Sequence, residues 1–140
     1  MNWIFLAIIT AVFYGMYNFF IKLSSGNINQ VVGAVILQIV ATMLGVVTLL
    51  ILKLTGMEFN ISSKGVWYAV LAGVMVGLAE ILSFFVFSKG APVSVGTAII
   101  IGGSVVVAGV IGFFMKEDFG IMNFLGILAI IIGIILFTTK

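Results

Sequence analysis

Glu80 is the only acid set inside a long apolar stretch of this 140-residue chain, between Gly65 and Ser88. An ionised carboxylate is expensive in hydrocarbon, so such a group can take a proton or a cationic substrate in turn. Its plainer role is a neutral acid hydrogen-bonded to a neighbouring helix, and both readings stay open at this point. Four further polar residues fall on helix stripes that could line a cavity. Tyr14 and Asn18 lie one turn apart and offer a ring, a hydroxyl and an amide, while Gln38 and Ser104 are the polar members of two other stripes. Each has a structural alternative. Tyr14, with Tyr17, can be an interfacial aromatic, as Trp3 reads. Asn18 and Gln38 can link helices, and the Ser104 hydroxyl can bond its own backbone.

Other chemistry is excluded by what the chain lacks. It has no His and no Cys, which removes disulfides, zinc and haem ligation, and any nucleophile that needs imidazole or thiolate. No metal-ligand cluster, phosphate loop or carboxylate pair occurs, and Glu117 and Asp118 are neighbours in a loop. The expectation is a protein that is not an enzyme, with no cofactor and no metal. The six cations are all lysines, spread singly, so no basic patch exists for nucleic acid.

The elements that must position these residues follow from the composition. Only 7% of residues are charged and 64% are hydrophobic, far from the roughly one quarter charged of soluble domains. A domain this small leaves much of its surface exposed, so the partner of that surface is the lipid bilayer. Apolar runs of about 20 residues place five helices, near 3–22, 31–54, 65–88, 92–115 and 119–138, in a single transmembrane domain over 1–140. The polar run 24–30 reads as a loop, Ser62 or Ser63 as the cap of the third helix, and Pro92 as the opening of the fourth. The acids of Lys116-Glu117-Asp118 are expected to favour the start of the fifth helix. The first segment does not read as a signal peptide, since it lacks a basic start and runs on to Lys22.

Five spans place Lys53, Lys64 and Lys116 on the N-terminal side, and Lys22, Lys89 and Lys140 on the other. Three against three leaves the positive-inside rule without a preference. Chance and insertion both ways up explain this balance equally well; in the second case the chain can pair with its inverted self. Small residues mark packing faces. Gly73 and Gly77 form a GxxxG on the face that carries Glu80, and Gly126 and Gly133 are seven apart on the fifth helix. These four are the expected helix-packing or dimer positions.

Two stretches carry a family resemblance. Lys116-Glu117-Asp118-Phe119-Gly120 followed by Gly126 and Gly133 resembles the closing signature of the EamA-like domain in the drug/metabolite transporter superfamily, with Lys116 where that family usually has glycine. Ala7 to Gly15, running on to Lys22, is similar to its opening helix, with Tyr14 where Trp is usual. The resemblance implies one half of a ten-helix inverted-repeat fold, and so a chain that must pair, most simply as an antiparallel homodimer. It also implies a cavity lined by the first, third and fourth helices, with the fifth at a subunit contact. Small multidrug resistance proteins are relatives with a glutamate in the first helix, so their site does not carry over to Glu80.

The function expected is a small transporter of a metabolite or organic cation, working by alternating access in a prokaryotic cell membrane. Glu80 is its coupling or substrate-binding carboxylate, with Tyr14, Asn18, Gln38 and Ser104 as further cavity residues. The rivals are a lipid-linked sugar flippase, an uncoupled facilitator, and a membrane scaffold or accessory subunit that transports nothing.

Overall fold

A computed structural model describes residues 2–139 and is all-helical over them. Five helices follow one another: α1 (Trp3–Ser25), α2 (Gln30–Leu54), α3 (Ser63–Ser88), α4 (Val93–Phe114) and α5 (Ile121–Thr138). Each has the length and hydropathy needed to cross a bilayer. Large apolar side chains stand exposed along every helix, from Trp3 and Phe13 on α1 to Leu136 on α5. An integral membrane protein shows lipid this surface. Lys140, counted above among the helix-end cations, lies outside the described residues.

Helix ends explain where the observed bounds differ from expectation. α1 runs three residues beyond Lys22 because the Ser25 hydroxyl donates back to the Lys22 carbonyl at 3.0 Å. Asn29, inside the expected loop, caps α2 by accepting from the Val31 and Val32 amides. Ser62, not Ser63, caps α3 through the Gly65 amide, at 3.1 Å. Pro92 occupies the N-cap position of α4, one place before the first helical residue.

The expectation for the turn before α5 needs correction. α5 begins at Ile121 behind Gly120, and its first turn holds no acid. Glu117 instead closes α4. Its amide donates to the Gly112 carbonyl and that of Lys116 to Phe113, both at 3.1 Å, with Lys116 left-handed at φ 57°. That is a Schellman stop, the same as α2 makes through Gly56 (φ 83°) and Met57. A left-handed lysine costs about 1 kcal/mol or more that glycine does not. Lys116→Gly is therefore expected to stabilise the protein by about 0.5–1 kcal/mol. A rise of a few degrees in the thermal midpoint of purified protein would register it, and no rise would refute it.

Contacts divide the chain into two compact units, one formed by Ile21–Lys89 and the other by the stretches up to Phe20 and from Gly90 onward. In the first unit α2 packs on α3. The closest approach is at Gly33, where an added Cβ would stand 2.8 Å from both Cδ1 and Cζ of the buried Phe84. Ile21, Ser25, Ala34, Ser83 and Phe87 are buried in the same unit. The Lys22 ammonium donates to the Phe87 carbonyl at 3.0 Å, placing a cation on the last turn of α3. Along α3 burial fades from Phe84 through the half-buried Glu80 and Gly77 to an exposed Gly73.

In the second unit α4 packs on α5 through glycines. A Cβ on Gly102 would meet Ile134 Cδ1 at 2.8 Å, and one on Gly109 would collide with Ile127. The α1 backbone packs against neither α4 nor α5. The space it leaves is a cleft.

Candidate functional site

The cleft of about 660 Å³ is lined by one face of α1, with Thr10, Ala11 and Tyr14, and by faces of α4 and α5. Small residues make the room: Gly15 and Gly133 both line it, and neither has any neighbour within 4 Å of where a Cβ would stand. Among the described residues, none that line it is charged. Its polar groups are hydroxyls. Thr10 donates to the Leu6 carbonyl at 2.9 Å, whereas the Thr97 hydroxyl is buried and has no hydrogen-bond partner. The Tyr14 ring meets Tyr17 edge-on at 6.0 Å, and the Tyr17 hydroxyl is another buried group without a partner.

Asn18 completes the polar set of α1 but is not part of the cleft wall. Its amide donates to the Tyr14 carbonyl at 2.8 Å, and its Oδ1 is buried and accepts nothing. Ser104 points elsewhere as well. Its hydroxyl donates to the Ile101 carbonyl at 2.7 Å and it is exposed, so it adds no free polar group to the cleft.

Glu80 and Gln38 belong to the other unit. Oε1 of Gln38 lies 3.5 Å from the Cβ position of Gly77, three residues before Glu80 on α3. The amide therefore meets α3 within one turn of the carboxylate. Glu80 is half-buried, and its Oε2 is shielded and accepts no hydrogen bond. A carboxylate oxygen buried without a donor is unusual, because an unpaired buried polar group ordinarily costs about 1–3 kcal/mol.

Comparison with known proteins gives this arrangement its context. The model of the EamA-like transporter family matches residues 1–139. The chain belongs to that family. It is also 32% identical over 134 residues to an uncharacterized protein of Methanocaldococcus jannaschii, a match covering 95% of this chain and 93% of that protein. No solved structure matches.

As an EamA-like protein of the drug/metabolite transporter superfamily, the chain is a transporter-type membrane protein, and its five helices correspond to one half of the family fold. Lys116, which stands where the resemblance implies glycine, is left-handed, a backbone conformation that glycine favours. The described cleft has α1, α4 and α5 as its walls. The expected packing glycines also divide. Gly77 meets Gln38, while Gly73, Gly126 and Gly133 have nothing within 4 Å. Thr10 was not singled out in the sequence, Tyr17 was read only as an interfacial aromatic, and Thr97 shares the α4 stripe of Ser104. The i, i+4, i+7 spacing of Thr10, Tyr14 and Tyr17 on α1 is the signal that joins the first two.

Proposed function

We propose that the protein carries a small metabolite or organic cation across a prokaryotic cell membrane by alternating access. It does so as an antiparallel homodimer, each five-helix chain acting as one domain, with Glu80 as the coupling or substrate-binding carboxylate. The observation that carries the coupling role is the Glu80 Oε2, shielded from solvent without a donor. An acid held that way gains a partner by taking a proton or by meeting a cation, and either event can be tied to a change of access. Gln38 supplies a further polar group within one turn of Glu80, and Tyr14, Asn18 and Ser104 are the proposed polar residues of the other unit. Support for pairing comes from the open glycines Gly73 and Gly126, which leave room for a second copy's helices.

Two experiments test this reading. Uptake into proteoliposomes under an imposed proton gradient, compared between the parent and Glu80→Gln, reads the coupling. Orientation is read by single cysteines in the 26–29 and 56–60 loops, labelled from one side of intact cells. About equal labelling of each site from each side is expected. Labelling of a site from one side only would remove the antiparallel homodimer and leave the Glu80 role standing.

A further inference from the structure

Three helix ends meet at one end of the unit that holds Glu80. The Phe87 carbonyl, in the last turn of α3, accepts from the Lys22 ammonium at 3.0 Å and also from the Lys89 amide. The end of α1 and the end of α3 are therefore held together, with a lysine on each. The approach of Gly33 to Phe84 brings the first turn of α2 to the same place.

Most polar groups at this end are already occupied. Asn29 accepts from the Val31 and Val32 amides, and Ser25, Asn27 and Ser88 donate to the carbonyls of Lys22, Leu23 and Phe85. The lysines differ. An ammonium has three protons, and that of Lys22 directs one of them at Phe87, a neutral acceptor that leaves its charge uncancelled. Among the described residues of this unit, no acid stands at this end. Glu58 lies in the connection between α2 and α3, at the opposite end, and Glu80 is about two turns back along α3. Exposed apolar side chains flank both cations, with Leu23 beside Lys22, and Phe85 and Val86 just before Lys89.

We infer that Lys22 and Lys89 form a headgroup site for an anionic phospholipid, its phosphate bound by the two lysines and its acyl chains lying along Leu23 and Val86. Two uncancelled cations next to a lipid-facing apolar surface match the two parts of such a molecule. A free phosphate would meet the same cations but gain nothing from the apolar surface. The site does not depend on the carrier reading and would stand without it.

Native mass spectrometry of the purified protein in detergent, titrated with dioleoylphosphatidylglycerol, tests the inference. A saturable adduct of one lipid per chain is expected, much weaker with dioleoylphosphatidylcholine and not displaced by inorganic phosphate at equal concentration. Lys22→Gln combined with Lys89→Gln should weaken the lipid about 25-fold, and Lys89→Gln alone, at an exposed side chain, about fivefold. Gln at position 22 keeps a donor for the Phe87 carbonyl, and the single variant reads the site even if the double one does not fold. Lys53→Gln with Lys64→Gln removes as much charge from the opposite end, and should change binding by less than about twofold.

Equal binding of phosphatidylcholine, an equal loss in the Lys53 and Lys64 variant, or parent-like binding by the Lys89 variant would each overturn the site. Displacement by inorganic phosphate would make it a site for free anions. Adducts on the single chain that are absent from its dimer would assign the lysines to a second copy's acids. Either result removes the lipid.

Discussion

Glu80→Gln is expected to abolish gradient-driven uptake while leaving the folded protein as stable as the parent. The two side chains have nearly the same shape, and Gln keeps an oxygen that can accept and gains two donors. If Glu80 were a neutral acid that only links helices, Gln would fill the same place and transport would continue. A group that must exchange a proton, or face a cation with its charge, has no substitute in an amide. Because Oε2 lacks a donor in the folded chain, replacing it breaks no hydrogen bond on that atom. A shift in thermal midpoint small beside the loss of uptake separates function from folding. Glu80→Asp provides the complementary arm: it keeps the charge, withdraws it by one methylene, and should retain partial uptake. Full driven transport by Glu80→Gln would end the coupling proposal.

The second large effect concerns stability. On α2, Gly33→Ala and Gly45→Ala are expected to act with opposite sign. At Gly33 the new methyl group would stand 2.8 Å from two ring carbons of Phe84, and that ring is only 2% exposed, so it cannot swing into open space. Forced overpacking of this kind costs about 1–3 kcal/mol. Gly45 has nothing within 4 Å, so the same change there gains helix propensity of up to about 1 kcal/mol. Thermal unfolding of the two variants in one detergent checks the difference. Adding Phe84→Leu to Gly33→Ala should recover part of the loss, and additive effects would show that the two sites do not touch.

The contrast between these glycines marks the division between what was legible in the sequence and what was not. Five spans, their lysine borders and the isolation of Glu80 within the third are statements about local composition. The bilayer makes them decisive, because any uncharged run of about 20 residues must satisfy its own backbone as a helix. The family signature was legible too, down to the lysine where a glycine is usual. Cap positions were partly legible, since Ser62 was a visible candidate, whereas Asn29 was hidden inside a run of polar residues.

Tertiary structure alone decided which small residues are contacts. Periodicity assigns a residue to a face of its helix but does not name the neighbour that covers that face. Gly73, expected as a helix-packing or dimer position, is open within this chain, while Gly33, Gly102 and Gly109 hold the close approaches. The same holds for the polar groups. Ser104 and Thr97 share the polar stripe of α4, yet one hydroxyl is bonded to its own backbone and the other is buried without a partner. Composition determined that the chain lives in lipid and carries one intramembrane acid. The approach of α4 to α5, with α1 held apart, determined that it also has an uncharged cleft, because a cleft is a property of three backbones at once.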